Sequence, residues 1–304
     1  MEEALTLPAF AKINLSLRVL GRRPDGYHEI RTIFQTVTLH DRLTFRPALG
    51  EEVRLACTDP TIPTGEENLV LKAAAALRSR YGLRRGAHIE LEKIIPAGGG
   101  LGGGSADAAT ALVGLACLWG VSAGGGDLRG LAARLGADVP FFLTGGTALG
   151  TGTGTEIEPL TDAPAEHLVV VTPPVHVSTA EAYKSLNAPA LTKVDSAASL
   201  SVSRATADFG GSLQWEAVND FEPAVFKAHP EILRARERLA AAGARRAMLS
   251  GSGASVFGTF DDEAVASLAA DSLTAEPGWR VFRCATLGRR LYAEAFGRCA
   301  RLLG

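Results

Sequence analysis

The sequence predicts an α+β fold divided into two domains. The chain has 304 residues, of which 46% are hydrophobic and 21% are charged, and single hydrophobic cores stop growing near ~250–300 residues. Strand-like and helix-like patterns alternate along most of the chain, which is typical of helices packed on a sheet. The best linker candidate is Thr161 to Pro164, so we expect one domain over residues 1–163 and another over 164–304.

Strand patterns dominate the first part of the chain. Apolar and polar side chains alternate over Ala11–Val19, Ile33–Phe45 and Val53–Cys57, and a period of two is typical of strands. The sequence therefore predicts an antiparallel meander. Helix formers from Leu69 to Arg80 follow Asn68, a residue type that caps helix N-termini well, so a helix is expected to begin there.

Further elements follow a glycine-rich run at residues 98–104. We expect an Ala-rich helix that lasts to about Trp119, a helix over Asp127–Leu135 and a strand-like stretch over Thr144–Thr155. Beyond residue 164 the expected strands are Leu168–Thr172, Arg246–Leu249, Ser255–Phe260 and Trp279–Thr286, and the expected helices are Thr179–Leu186, Gln214–Lys227, Pro230–Ala242 and Asp262–Leu273. The polar segment Ser196–Ser212 is expected to be a surface loop.

Composition excludes several classes of partner. The 31 basic and 33 acidic residues give a net charge of -2, so the chain lacks the positive surplus that binds a nucleic-acid backbone. Its longest uncharged apolar stretch, Ala108–Ala123, is shorter than the ~18 residues that indicate a membrane span. We therefore expect a small-molecule substrate, with neither nucleic acid nor membrane as a partner.

The cysteines and the first residues indicate a cellular location. Four cysteines stand far apart, with no CxxC pair and no histidine at metal-ligand spacing: Cys57, Cys117, Cys284 and Cys299. This is typical of a reducing compartment. The chain begins with MEEALTLPAF, which lacks the basic and apolar regions of a signal peptide, so a cytoplasmic location is expected.

The glycine-rich loop is the strongest functional signal. Six of the seven residues at 98–104 are glycines, and the loop lies between a strand pattern at Ile89–Lys93 and a helix whose first side chain is Ser105. Glycines and a helix N-terminus together form a cradle for phosphate, and the Ser105 hydroxyl would reach a phosphate or its Mg²⁺. The alternative is a flexible linker. A second turn, Ser250–Ser255, either donates amides to a ligand or is a tight hairpin.

Two known phosphate-binding patterns can be compared with the glycine loop: the dinucleotide-binding pattern and the P-loop. Gly98-x-Gly100-x-x-Gly103 satisfies the dinucleotide pattern, which makes an NAD-dependent dehydrogenase the first rival. That fold needs a buried apolar strand before the loop, whereas Ile89–Lys93 alternates with charged residues. No Lys-Ser/Thr pair follows the glycines, which excludes the common P-loop. If the loop binds a nucleotide, it does so by an arrangement that differs from both of these patterns.

Lys12 and Asp138 are the candidates for phosphoryl-transfer chemistry. Such a reaction needs positive charge near the transferring group and a carboxylate that accepts the proton of the substrate hydroxyl. Lys12 lies on the polar face of the first strand pattern, and Asp138 is followed by Val139, Pro140 and two phenylalanines. The alternatives are a solvated strand lysine and a helix cap, since proline prefers the first helical turn.

These pieces, in this order, resemble the GHMP kinase superfamily. Four motifs are similar to the 4-diphosphocytidyl-2-C-methyl-D-erythritol kinase family: Ala11–Leu15, Arg23–His28, Phe34–Val37 and Gly136–Phe142. The resemblance covers nearly the whole chain. It implies the two-domain GHMP kinase fold, with an N-terminal ATP domain like the second domain of ribosomal protein S5 and a C-terminal ferredoxin-like domain that binds substrate.

The resemblance also implies a function. A member of this family phosphorylates the 2-hydroxyl of cytidine-diphosphate methylerythritol with ATP and Mg²⁺, in the non-mevalonate route to isoprenoids. Another small-molecule kinase of the superfamily is the nearest alternative. The expected assembly is a monomer or a homodimer, and the sequence leaves that choice open.

Site residues follow from the resemblance position by position. Asp138 corresponds to the catalytic base and Lys12 to its partner. The ATP site is implied for Pro96, Gly98, Gly99, Gly100, Leu101, Gly102, Gly103, Gly104 and Ser105, with Asn68 and Lys93 near the adenosine and Ser105 as a metal ligand. The substrate site is implied for Asn14, Tyr27, His28, Thr179 and Tyr183, with Tyr27 and Tyr183 stacking on the pyrimidine. A helix cap and a strand-end lysine are the alternatives for Asn68 and Lys93. Ala106 departs from the family, which usually has a second serine there.

Overall fold

The computed structural model describes residues 4–123, 125–186, 188–190 and 216–303. Two sheets organise these residues, one of six strands and one of four, and helices pack on both. The predicted α+β class is therefore confirmed. Within the described ranges, no helix combines the length and the apolar character that crossing a bilayer would require.

The first sheet consists of β1 (Leu5–Arg22), β2 (His28–Ala48), β3 (Val53–Cys57), β4 (Gly86–Glu92), β5 (Thr147–Thr151) and β6 (Glu156–Pro159). β1 and β2 form a long antiparallel hairpin, and the other edge of β2 pairs with β4 and with β5. β3 is parallel to β4, so the predicted meander is wrong at this point. A parallel pair needs a crossover connection, and helix α1 (Leu69–Tyr81) provides it.

Helices α2 (Gly103–Leu118) and α3 (Gly125–Leu135) pack with α1 beside this sheet. Every residue of α2 from Ala106 to Ala116 is buried, as expected for an Ala-rich helix between a sheet and other helices. The predicted cap of α1 is confirmed, because the Asn68 side chain accepts a hydrogen bond from the amide of Val70. α2 therefore holds the residue that follows the glycine loop at a fixed place over the sheet.

The second sheet consists of β7 (His167–Thr172), β8 (Arg246–Leu249), β9 (Val256–Phe260) and β10 (Arg280–Ala285), all antiparallel in the order β10-β7-β9-β8. The described helices of this half are α4 (Thr179–Ser185), α5 (Glu222–Ala228), α6 (Pro230–Ala241), α7 (Glu263–Thr274) and α8 (Arg289–Ala295). With α4, α5 and α6 taken together as one helical segment, the elements from β7 to β10 follow the β-α-β-β-α-β order of a ferredoxin-like unit.

The predicted helix over Gln214–Lys227 is wrong before α5. The backbone there pairs with β1 instead: Leu17 N donates to Val218 O at 2.7 Å, and Asp220 N donates to Leu17 O at 3.0 Å. A segment that gives its hydrogen bonds to a neighbouring strand cannot also be helical. The part of that prediction before residue 216, and the predicted surface loop at Ser196–Ser212, lie outside the described residues.

The end of the chain returns to the core of the first sheet. α8 and a 3-10 helix over Gly297–Leu302 bury Tyr292, Phe296 and Cys299 among side chains of α2 and its neighbours. The Tyr292 hydroxyl donates a hydrogen bond to Phe142 O. A seven-residue helix is too short to show a clear period, and the sequence did not predict it. The division into 1–163 and 164–304 stays a prediction.

Two helical glycines give a test of how tightly α2 packs. A Cβ added at Gly114 would overlap the ring of Phe45, whereas one added at Gly130 in α3 would meet open space. We expect Gly114→Ala to lower the free energy of unfolding by about 1–3 kcal/mol, because overpacked cores are strained. The matched control Gly130→Ala should raise it by about 0.4–1 kcal/mol. Denaturant titration measures both, and an unchanged Gly114→Ala variant would contradict the close contact.

Candidate active site

A cleft of about 1390 Å³ opens where β1, the glycine loop and α4 meet. Residues from both predicted domains line it. Many of the predicted site residues are among them: Lys12, Asn14, Tyr27, His28, Gly100, Gly102, Ser105, Asp138, Thr179 and Tyr183. The cleft therefore brings the proposed catalytic pair, part of the glycine loop and the proposed substrate residues together.

Three consecutive carbonyl groups of the glycine loop are bound by other parts of the protein. Gly99 O accepts from Ser255 N at 3.0 Å, Gly100 O accepts from Ser250 Oγ at 3.0 Å, and Leu101 O accepts from Lys12 N at 2.9 Å. The predicted turn at Ser250–Ser255 thus packs directly on the loop. A Cβ at Gly100 would overlap Ser250 O, so only glycine allows this approach.

The amide groups of the same loop are left for a ligand. In the described part of the chain, no hydrogen bond uses the backbone N–H of any residue from Gly98 to Ser105. Gly98, Gly100 and Gly102 have φ of 67°, 74° and 70°, and alternation of left-handed residues with others points successive N–H groups into one concavity. The N-terminus of α2 adds its own unpaired N–H groups. This arrangement is suited to an anion, and to phosphate in particular.

Lys12 and Asp138 form an ion pair beside this loop. Lys12 Nζ lies 3.4 Å from Asp138 Oδ2 and donates to Asn14 Oδ1 at 2.8 Å. The lysine side chain is only 4% exposed, against 32% for the aspartate. The Asp138 side chain makes no hydrogen bond to the 3-10 helix Val139–Leu143 that follows it. It therefore does not cap that helix, which was the alternative role. The carboxylate faces the cleft and is open to a substrate.

The local fold explains why Lys12 and Asn14 act together. Residues two apart on a strand share a face, and β1 has register shifts at both positions that alter its pairing with β2. Asn14 Nδ2 donates to Thr32 Oγ1 at 2.7 Å, and that hydroxyl donates to Ser16 O at 2.7 Å. This chain of hydrogen bonds fixes the Asn14 amide, which in turn orients the ammonium group.

Aromatic side chains line the far end of the cleft. The His28 and Tyr183 rings stack with centroids 4.7 Å apart, and Tyr183 packs edge-on against Phe221. Tyr27 is 67% exposed on the cleft wall, and Thr179 Oγ1 lies 3.1 Å from Ser252 Oγ. Burial and Arg22 lower the pKa of His28. Burial, with a smaller contribution from Asp138, raises the pKa of Tyr183 to about 12.

The two predicted adenosine residues do not line the cleft. Asn68 is a helix cap, which was the alternative to an adenosine contact. Its Oδ1 accepts from Val70 N at 2.9 Å, and its Nδ2 donates to Pro63 O at 2.6 Å. The Lys93 ammonium is 5% exposed and pairs with Asp41 and Asp107. Burial raises the pKa of Asp107 to about 8, and the Lys93 charge opposes that effect. A direct adenosine contact from the Lys93 ammonium disagrees with this geometry.

Several cleft residues escaped sequence reasoning. Three basic side chains line the cleft without a carboxylate within 4.0 Å in the described residues: Arg22, Arg134 and Lys184. Phe34 places its ring under the Lys12 ammonium, with 5.4 Å from Nζ to the centroid. Phe34 begins the Phe34–Val37 motif of the sequence analysis, but no local signal in the sequence marks the three basic residues. Together with Lys12, these cations make the cleft suited to a ligand that carries several negative charges.

Among the residues that the structure describes, no cluster of three or more His, Cys, Asp or Glu side chains is arranged to hold a metal. The oxygen donors that line the cleft include the Ser105 hydroxyl beside the glycine loop and the Asp138 carboxylate. Mg²⁺ commonly takes one or two protein oxygens and completes its shell with phosphates and water. These residues therefore fit a magnesium ion that arrives with a nucleotide.

Family models and curated relatives both match this chain. The model of the GHMP kinases N terminal domain matches residues 68–146, and the GHMP kinases C terminal model matches residues 197–278. A 4-diphosphocytidyl-2-C-methyl-D-erythritol kinase of Pelotomaculum thermopropionicum is 46% identical over 88% of this chain and 93% of that protein. The kinase of the same name from Moorella thermoacetica is 45% identical over 86% and 91%.

Solved structures give the same picture. A crystal structure of 4-(cytidine 5'-diphospho)-2C-methyl-D-erythritol kinase matches with a TM-score of 0.75 and 36% identity, over 93% of this chain and 100% of that chain. The mevalonate kinase of Methanococcus jannaschii matches with a TM-score of 0.65 and 14% identity, over 95% and 99%, which shows a shared fold alone. The predicted GHMP kinase fold is confirmed, and the dehydrogenase alternative is wrong.

The glycine loop can be tested with two of its own glycines. Gly100→Ala should weaken binding of a nucleoside triphosphate by about tenfold or more, because its Cβ would displace the Ser250 turn and its φ of 74° disfavours alanine. A Cβ at Gly104 would approach nothing closer than Leu69 Cδ1 at 4.0 Å, so Gly104→Ala should weaken binding much less. Equilibrium titration with a fluorescent ATP analogue measures both, and equal losses would argue against the backbone contact.

Proposed function

The chain belongs to the 4-diphosphocytidyl-2-C-methyl-D-erythritol kinase family of GHMP kinases, and on that premise we propose that it phosphorylates the 2-hydroxyl of 4-diphosphocytidyl-2-C-methyl-D-erythritol. It is an ATP-dependent small-molecule kinase of isoprenoid biosynthesis. The observation that carries the finer proposal is one juxtaposition: a loop of unpaired amides beside the Lys12–Asp138 pair. Phosphate and acceptor would meet there.

Asp138 acts as the general base in this proposal. The substrate hydroxyl donates a hydrogen bond to the Asp138 carboxylate, its oxygen attacks the γ-phosphorus, and the proton passes to Asp138 as the bond to ADP breaks. Lys12 stands next to the same oxygen. Its ammonium stabilises the negative charge that develops as the proton leaves, and burial beside Phe34 strengthens that interaction.

The amides from Gly98 to Ser105 hold the triphosphate in line for the attack. Because the loop carbonyls are bound elsewhere, its donors are oriented before the nucleotide arrives, and little reorganisation is required during the reaction. The Ser105 hydroxyl and the nucleotide phosphates would hold Mg²⁺, which when bound would neutralise part of the phosphate charge.

The other end of the cleft recognises the cytidine diphosphate. We assign the base to the aromatic residues Tyr27, His28 and Tyr183, where stacking would contribute ~1–3 kcal/mol. Arg22 is opposite His28 in the β1–β2 hairpin, Lys184 follows Tyr183 in α4, and both line the cleft. Their unneutralised charges are suited to the diphosphate. Another sugar or mevalonate kinase of the superfamily would have no use for a base-binding aromatic group. A cytoplasmic location and a monomer or homodimer stay predictions.

Replacement of the proposed base separates chemistry from binding. Asp138→Asn should reduce kcat by about 10²- to 10⁴-fold, because the amide cannot accept the proton, while ATP binding stays within about threefold. Asp127→Asn is the matched control, since Asp127 is paired with Arg80 on the surface of α3. A coupled assay of ADP release measures kcat for both. Retained turnover in Asp138→Asn would refute the role of base.

A second prediction concerns the substrate base. Tyr27→Ala removes the stacking ring and should raise the KM for the cytidine substrate by about tenfold, with the KM for ATP unchanged. Tyr27→Phe keeps the ring and should retain most of the affinity. Steady-state kinetics with each substrate varied in turn measures both constants. A parallel rise in the two KM values would place Tyr27 outside the acceptor site.

A further inference from the structure

Asp41, Lys93 and Asp107 form an ion cluster next to the glycine loop and outside the cleft. The Lys93 ammonium pairs with the carboxylate of Asp41 and lies 3.1 Å from Asp107 Oδ2. The three side chains are 5% exposed or less, and none of them lines the cleft. A buried cluster of this kind is costly to desolvate, so its position next to the phosphate cradle calls for an explanation.

The cluster is connected to the chain on both sides of the loop. Before the loop, Asp41 Oδ1 accepts hydrogen bonds from Ile94 N at 2.5 Å and from Ile95 N at 2.7 Å. After the loop, Asp107 lies near the start of α2, and its Oδ2 accepts a hydrogen bond from Lys93 Nζ at 3.1 Å. Asp41 of β2 therefore holds the chain between β4 and the loop directly, through its bonds to the amides of Ile94 and Ile95. It holds the start of α2 indirectly, through Lys93 and Asp107.

Close contact at the first residue of α2 strengthens this connection. A Cβ built at Gly103 would lie 2.9 Å from Lys93 Nζ and 3.0 Å from Ile95 Cγ2. The backbone of the helix N-terminus thus rests directly on the ammonium group and on the chain that Asp41 holds. Because protein interiors are close-packed, a displacement of Lys93 would shift the first turn of α2 and with it the neighbouring residues Gly102 and Ser105, which line the cleft.

We propose that Asp41, Lys93 and Asp107 are positioning residues for ATP: the cluster holds the two ends of the glycine loop at the separation that the triphosphate needs. Lys93 then acts through the loop and not by contact with the nucleotide. The proposal rests on the proposed function in one respect, that the loop binds the ATP phosphates. It predicts an effect specific to ATP, since the acceptor end of the cleft is formed by other elements.

Asp107 gives the sharpest test, because its replacement leaves the Asp41–Lys93 pair in place. Asp107→Ala breaks the link from Lys93 to α2 and should raise the dissociation constant and the KM for ATP by about tenfold, with the KM for the acceptor within about twofold. Asp107→Asn keeps an oxygen that accepts from Lys93, so it should recover most of the ATP affinity. Calorimetric titration with ATP and steady-state kinetics measure these constants, and thermal unfolding confirms that both variants fold.

The control is Glu90→Gln, which alters an exposed residue of β4 that pairs with Arg46 on the surface, and it should leave both KM values unchanged. Wild-type ATP affinity in Asp107→Ala would overturn the proposal, as would an equal rise in both KM values or an Asp107→Asn variant as weak as Asp107→Ala. A wild-type chain that does not bind ATP would instead overturn the proposed function itself.

Discussion

The anchoring of three loop carbonyls is the constraint on which the active site depends. A flexible run of glycines would lose most of its binding energy in becoming ordered, and it would offer a ligand both donors and acceptors. Here the carbonyls of Gly99, Gly100 and Leu101 already accept hydrogen bonds from Ser255, Ser250 and Lys12. Those three carbonyls are not available to a ligand, so the loop offers its N–H donors, which favours an anion. Two of the three anchors come from the turn between β8 and β9 of the second sheet, so the proposed phosphate site is built by both halves of the chain.

The buried ammonium of Lys12 is the second constraint. An unpaired charge at that depth would be destabilised by several kcal/mol, and the surroundings of Lys12 offset this with the Asn14 oxygen, the Phe34 ring and the Asp138 carboxylate. The same contacts that stabilise the lysine hold the aspartate away from its capping role. Stability and chemistry thus use one set of contacts, and the aspartate stays the more exposed partner, where a substrate can reach it.

The parts of the site that the sequence predicts are those with a local signature. The glycine run, the alternation that puts Lys12 and Asn14 on one face, and Asp138 before a proline are all visible within a few residues. The ion cluster of Lys93 is different, because its partners come from β2 and α2 and only tertiary contact makes them neighbours. Arg22 is likewise an ordinary strand-end residue until folding brings it to the cleft.

The return of α8 to the first core has a consequence for how the protein is made. Tyr292 and Phe296 fill space beside α2, and Leu287 N donates to Thr36 O of β2 at 2.8 Å. Those residues are synthesised after both sheets. The N-terminal half must therefore wait with part of its interior open until they have been made, and a fragment that stops at residue 163 would expose apolar surface to water and to other nascent chains.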